Sequence, residues 1–220
     1  YILHIDDDTE VIDKNWLRDM INFGEENKNV GIIGCKIIYP SGNLQWFFKN
    51  GRIHFLSDGN EVKETKDTFG IYELKEVIGA CILIKRRVIE EIGLLDEKFN
   101  PAYREESDFC FRAGKKGFKI VYFGKTKLIH KGGSSTKNIK DGIWQIKKRN
   151  AIRLEWLNYS YFNIIRYTFI HIGSALFANN PFVKIKMLIK AYKENLEDIK
   201  EIRQKRRERN GWEKIKNFIL

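Results

Sequence analysis

Three consecutive carboxylates, Asp6, Asp7 and Asp8, follow the apolar run "YILHI" in a chain whose formal net charge is +11. Ionising three neighbouring carboxylates is costly unless a cation offsets their repulsion. In an extended chain Asp6 and Asp8 point to one side and Asp7 to the other. Two carboxylates converging at the end of a strand form a hard-oxygen site suited to Mg2+ or Mn2+, with a diphosphate behind the metal. The carboxyl edge of an open α/β sheet is also where such folds bind ligands. The plainer alternative is a solvated loop whose aspartates cap the following helix.

Two further groups carry chemistry. In "NPAYREESDFCFRAGKKG", Glu105, Asp108, Phe109 and Arg112 share one face of a helix beginning near Glu105, and Glu106 looks out from its first turn. Acidic residues also favour helix N-termini for their dipole, and Asp108 with Arg112 makes an ordinary i, i+4 pair, so a structural role stands beside a catalytic one. His130, in "LIHKGGSST", ends an apolar stretch just ahead of a segment flexible enough to close over phosphates. A lone histidine in that place is also commonly structural or exposed.

These residues need elements to hold them. Val30 to Tyr39 and Val77 to Ile84 are β-branched apolar runs of strand length, and Phe118 to Phe123 is a third. Lys14 to Asn27 carries Trp16, Leu17, Met20 and Ile21 at helical spacing behind Asp13 as a cap. Arg86 to Ile92 and Glu105 to Lys116 are helices stopped by Gly93 and Gly117. Turn signals at Ser41-Gly42 and Asn50-Gly51 predict a hairpin over Leu44 to Phe55, with a variable loop over Ser57 to Glu73. From Asp141 onward three helices are expected: Asp141 to Asn158, Tyr159 to Ala178 and Lys184 to Arg209, broken at Asn179-Asn180-Pro181. The alternation of strand and helix predicts an α/β body over residues 1–136, followed by a helical extension over 137–220.

At 220 residues and 43% hydrophobic content the chain can bury a sizeable core. Cys35, Cys81 and Cys110 are odd in number and far apart, which speaks against a disulfide framework or a thiolate zinc site and for a reducing, cytoplasmic setting. No signal peptide or membrane span is legible. Tyr1 stands inside a strand-like run without an initiator methionine, as in a fragment of a longer chain. Residues 181–220 hold 12 basic and 6 acidic side chains, 12 − 6 = +6 of the surplus. Such an end suits an anionic membrane surface, and the apolar "YFNIIRYTFIHIGSALFA" beside it either packs on the protein itself or lies in a membrane interface. Nucleic acid is not expected, since the basic helix lacks interleaved stacking aromatics.

The order "IDDDT", "VIGACILIKRRVIEEIGLLDEKF" and "YREESDFCFRAGKKGFKIVYFGKTKLIHKGGSS" resembles family 2 glycosyltransferases with the GT-A fold, especially the rhamnosyltransferase-like branch. The resemblance covers Tyr1 to Thr136. It implies a Rossmann-like mixed sheet that is N-terminally incomplete here, since the family's first βαβ units lie ahead of the aspartate strand. It implies that Asp6, Asp7 and Asp8 form the DxD motif, with Asp6, Asp8 and His130 holding Mn2+ or Mg2+. It also implies that Gly79 and Ala80 floor the donor-sugar pocket, that Asp108 meets the acceptor, and that the acidic pair at Glu105 and Glu106 supplies the catalytic base. The family usually has Glu-Asp there; this chain has Glu-Glu, and Glu106 is favoured over Glu105. The activity implied is metal-dependent, inverting sugar transfer from a nucleotide-sugar donor to a glycan or lipid-linked acceptor, in polysaccharide biosynthesis at the cytoplasmic face of the cell envelope. A non-catalytic carbohydrate- or membrane-binding remnant of the same fold is the alternative.

Overall fold

The computed structural model describes residues 1–49, 52–55, 64–132 and 142–219. The chain divides into two compact units. One holds Tyr1–Leu94 and Phe109–Ser135; the other holds Leu95–Asp108 and Thr136–Leu220.

The first unit is built on a mixed sheet. Its strands are β1 (Ile2–Ile5), β2 (Thr9–Val11), β3 (Val30–Ile38), β6 (Ile71–Leu74), β7 (Cys81–Ile84) and β8 (Lys119–His130), with β4 (Trp46–Lys49) and β5 (Arg52–Phe55) forming a separate antiparallel pair; the turn expected at Asn50-Gly51 lies outside the described residues. The sheet order is β1-β7-β3-β8-β2, and β6 pairs with β8. Among the described strand pairs only β3 and β8 run parallel. Every residue of β3 is buried, as a nine-residue run of mostly β-branched side chains requires when both faces are covered.

Helix α1 (Trp16–Glu26) lays Met20 and Phe23 toward the sheet, and the Phe23 ring stands 5.0 Å from that of Phe123. Helix α2 (Arg86–Ile92) sends Val88 against Gly31 of β3, where an added Cβ would come within 2.8 Å of both Val88 and Phe118. The first element expected here starts two residues later than its sequence suggests: Asp13 Oδ1 accepts from Asn15 N–H at 2.9 Å, so the turn ahead of the helix uses Asp13.

The sheet also differs from the sequence expectation at β6 and β8. The expected loop over Ser57 to Glu73 ends in β6, a half-exposed strand of four residues that runs on to Leu74; residues 57–63 of that loop lie outside those described. Strand β8 is twice as long as the predicted Phe118–Phe123 because it shifts register: Cys35 faces Phe123, but Lys36 faces Lys127. The extra residues pass through Gly124, where a Cβ would stand 2.2 Å from the Thr68 carbonyl oxygen, so only glycine fits that approach. This shift carries the end of β8 onward to His130.

The second unit is helical: α4 (Ile143–Asn158), α5 (Tyr161–Leu176), α6 (Pro181–Glu197) and α7 (Ile199–Ile219), with the first turn of α3 (Glu105–Lys115). Ile152, Ala175, Leu188 and Ala191 form its core, flanked by Trp144, Trp156, Ile185 and Tyr192. The predicted break is present: Asn180 takes a left-handed conformation (φ 62°) and Pro181 opens α6. The single helix expected over Lys184 to Arg209 is two, interrupted at Asp198, whose carboxylate is held by Lys98 at 2.9 Å and Arg153 at 3.6 Å.

Candidate functional site

The aspartate triplet is a tight turn joining two strands of the same sheet. Ile5 pairs with Cys81 of β7; one step on, Asp6 N–H donates to the Ala80 carbonyl at 3.1 Å, and Thr9 Oγ1 reaches the same oxygen at 3.5 Å. Thr9 N–H closes the turn on the Asp6 carbonyl at 3.1 Å. Thr9 then pairs with His130 of β8, and Lys131 N–H donates to the Asp8 carbonyl at 3.0 Å. The backbone therefore holds the triplet from both sides. Asp7 is exposed while Asp6 and Asp8 are half-buried. The sidedness expected of an extended strand is present, but a turn produces it.

His130, the last residue of β8, brings Nε2 to 2.9 Å from Asp8 Oδ1 and 3.5 Å from Asp6 Oδ2. One ligand atom from each of the three lies within 4.8 Å of the others. The ring is held from behind by buried Gln45. Its amide Nε2 donates to the His130 carbonyl, which turns Oε1 toward His130 Nδ1 at 2.8 Å. Because Oε1 can only accept, Nδ1 carries the hydrogen, and in neutral imidazole the Nε2 lone pair then faces two carboxylates. Three acceptors aimed at one point repel unless a cation or a proton on Nε2 lies among them, and two carboxylate oxygens with one imidazole nitrogen are a donor set that Mn2+ accepts. The hydrogen bond from His4 holds Asp6 below the usual carboxylate range, against the opposing effect of partial burial.

Ala80 is buried and supplies the carbonyl that anchors the turn, and Gly79 is half-buried beside it. Both lie in a turn ahead of β7 and outside the strand predicted from Val77.

In the second unit, Glu105 and Glu106 open α3, half-buried, behind two residues in left-handed backbone conformation, Tyr103 (φ 79°) and Arg104 (φ 78°). Non-glycine residues there cost of order 1–3 kcal/mol each and persist only when their surroundings hold them. Asn150 of α4 does so: fully buried, its amide nitrogen stands within hydrogen-bond distance of the carbonyls of Phe99 (2.6 Å), Ala102 (2.8 Å) and Tyr103 (2.9 Å), which share its two hydrogens. Arg149 donates to the Asn100 carbonyl, and Lys147 Nζ lies 4.6 Å from the Tyr103 ring centre. Asp108 is fully buried and takes two hydrogen bonds from Arg209 (2.6 and 3.2 Å) and one from Asn158 (2.9 Å). Its oxygens are engaged, so Asp108 ties α3 to α4 and α7. In the first unit Arg112 donates to the carbonyls of Ile92 (2.5 Å) and Leu94 (2.7 Å).

Gln45 and Asn150 escaped the sequence reading. Each is a polar residue beside a tryptophan-bearing or amphipathic segment, with no local motif; their partners lie 85 and about 50 residues away.

A family model for glycosyl transferase family group 2 matches residues 1–190. The chain is 26% identical over 144 residues to O-antigen biosynthesis protein RfbC of Myxococcus xanthus, a match that takes in 62% of this chain and 11% of that protein. It is 28% identical over 81 residues to a galactofuranosyl glycosyltransferase of Leishmania donovani, 36% of this chain and 18% of that one. The chain thus corresponds to only part of each relative's length. A crystal structure of GalNAc-T7 with UDP, GalNAc and Mn2+ matches 90% of this chain and 40% of its own, with TM-score 0.51 and 12% identity, a likeness of fold. The mixed sheet followed by helices is accordingly a GT-A-type α/β fold. With most of its length matched by one family model, the chain belongs to glycosyl transferase family group 2.

Proposed function

We propose that the chain carries the catalytic portion of an inverting glycosyltransferase that moves a sugar from a nucleoside-diphosphate donor to a hydroxyl of a glycan or lipid-linked acceptor. The observation that carries the reading is the convergence of Asp6, Asp8 and His130, with Gln45 fixing the imidazole so that Nε2 faces both carboxylates. These three residues would hold Mn2+, or Mg2+ in its place, and Asp7 would meet the donor from the exposed side of the turn. The metal, when bound, neutralises charge on the departing nucleoside diphosphate. Gly79 and Ala80 present little side-chain bulk beside the triplet, which suits close approach of a donor sugar. Mn2+ and UDP in the fold neighbour support the metal and the donor class, and the RfbC likeness supports a polysaccharide product.

Glu106 is the base in this scheme. Its carboxylate takes the proton of the acceptor hydroxyl while that oxygen bonds to the anomeric carbon, and the bond from that carbon to the diphosphate oxygen breaks with its electron pair leaving on the nucleotide. Attack from the face opposite the leaving group inverts the anomeric centre. General-base help of this kind contributes about 10²–10⁴-fold. Asp108 acts on the acceptor side through the placement of α3. The three cysteines are free, which supports a reducing, cytoplasmic setting.

The test is release of nucleoside diphosphate from a panel of nucleotide sugars with Mn2+, with and without acceptor glycan. EDTA and Asp8→Asn should each abolish it while the unfolding transition stays in place, and Glu106→Gln should lower acceptor-dependent turnover by about 10²-fold or more with donor affinity little changed. Turnover indifferent to both EDTA and Asp8→Asn overturns the metal site. Loss in Glu105→Gln with Glu106→Gln nearly normal moves the base to Glu105.

A further inference from the structure

The helix α5 has two apolar faces, and the fold uses one. Ala175 packs in the helical core, and His171 turns inward, where its Nε2 meets Glu155 at 3.0 Å and its Nδ1 meets Lys148 at 3.2 Å. The outward side carries Phe162 (77% exposed), Ile165, Phe169 (69%) and Leu176, at helical spacing along its length. The corner to α6 adds Phe177 (93%) and Phe182 (84%). Isolated exposed apolar residues are ordinary, but a contiguous band rich in phenylalanine marks a surface that meets something.

The charges beside the band say what. Between Glu155 and Glu194 the sequence has no acidic residue at all, yet it carries Arg166, Lys184, Lys186, Lys190 and Lys193. Lys186, Lys190 and Lys193 are exposed along α6, and Arg166 sits within the outward face of α5. Glu194, 3.9 Å from Lys190, is the first acid past the band; an apolar aromatic face flanked by so many cations is the pattern of a helix lying in the headgroup region of an anionic bilayer. No helix among the described residues is long and apolar enough to cross a membrane.

We infer that α5 and the start of α6 dock on an anionic lipid surface, burying the phenylalanines at the acyl boundary while the lysines meet headgroup phosphates. The surface extends the reading of a lipid-linked acceptor by giving the place where it would be met, and it uses none of the residues assigned to sugar transfer.

The test is co-sedimentation of the 220-residue chain with vesicles, without donor and with EDTA present, so that its outcome is independent of catalysis. Vesicles of equimolar phosphatidylcholine and phosphatidylglycerol should bind it at low salt and release it as salt screens the attraction, while pure phosphatidylcholine binds far less. Phe162→Ser with Phe169→Ser should weaken binding by about tenfold or more, the expected effect of removing two side chains from the apolar phase. Lys186→Glu with Lys190→Glu should cost at least about fivefold per lysine. All four positions are exposed or at the surface of α6, so circular dichroism and the unfolding midpoint should not move. Equal binding to neutral and anionic vesicles, binding unaffected by the phenylalanine variant, or absence of binding all overturn the inference. A dimer in solution that the phenylalanine variant dissolves, with no vesicle binding, would assign the band to a second copy of the chain instead.

Discussion

Gln45 offers the sharpest perturbation of the metal site because it touches neither carboxylate. Gln45→Leu keeps the buried volume and removes both of its bonds to His130, the 2.8 Å contact with Nδ1 and the one to the backbone carbonyl. The imidazole is then free to rotate and to shift its proton to Nε2, the atom that must face Asp6 and Asp8. Loss of such an orienting partner typically lowers metal affinity by about 10–100-fold, which corresponds to about 1.4–2.8 kcal/mol. Two neutral hydrogen bonds of about 0.5–1.5 kcal/mol each account for a loss of that size. The assay is titration with Mn2+ followed by the electron paramagnetic resonance of the free ion, beside His130→Ala as the full loss of the ligand. Gln45→Glu keeps an acceptor on Nδ1 and should hold affinity much closer to the parent than Gln45→Leu does. If Gln45→Leu binds Mn2+ within about twofold of the parent while His130→Ala does not, the orienting argument fails.

Asp96 predicts an acid limit for the helical unit. Burial pushes its carboxyl up, but Arg153, Lys205 and the Lys98 N–H outweigh it and hold it below its ordinary value. Its stabilising effect is therefore complete above the unfolded carboxylate value of about 4 and is lost as pH falls from there through the lower folded value. Asp96→Asn should destabilise by about 3 kcal/mol at neutral pH, the lower end for a buried pair, since Arg153 keeps Glu201 at 2.9 Å; urea unfolding from pH 7 down to 3 should show the gap between the two proteins closing only at the acidic end. Asn150→Ala strands three carbonyls and should cost about 1–3 kcal/mol while lowering turnover and leaving Mn2+ affinity unchanged; normal turnover at a lowered unfolding midpoint would mean that the strained turn does not place Glu105 and Glu106. Gly124→Ala should disrupt β8 and, with it, the position of His130, read as weakened Mn2+ binding in a destabilised chain.

What the sequence made legible follows from the range of the interactions concerned. The β-branched run of β3, the helical spacing of Met20 and Trp16 and the Asn180-Pro181 stop are written within a few neighbours and were readable. The aspartate triplet and His130 were readable because strand ends gather at one edge of a sheet. The shift in β8 was not, because the carbonyls of Thr68 and Gly70 crowd Gly124 from more than fifty residues back in the chain. Local spacing pointed Asp108 to Arg112 but gave no sign of Arg209 and Asn158, whose bonds only the folded helical unit supplies. Gln45 and Asn150 are amides whose significance lies wholly in carbonyls and rings that only the folded chain brings near.

The bond between Asp108 and Arg209 also sets an order of events during synthesis. The two residues are 101 positions apart. A ribosome adding about 5–20 residues per second takes about 5–20 s to cover that interval. Through that time the carboxylate at the opening of α3 has no Arg209 to receive it, and burying it without that charge is unfavourable. The first turn of α3 therefore settles late, after α7 has left the ribosome, whereas the α1 and β3 hairpin of structure can form early from contacts close in sequence. A chain cut short before Arg209 would face the same choice permanently: keep Asp108 in water and leave the helical unit open, or close it around a carboxylate that lacks the two bonds Arg209 supplies.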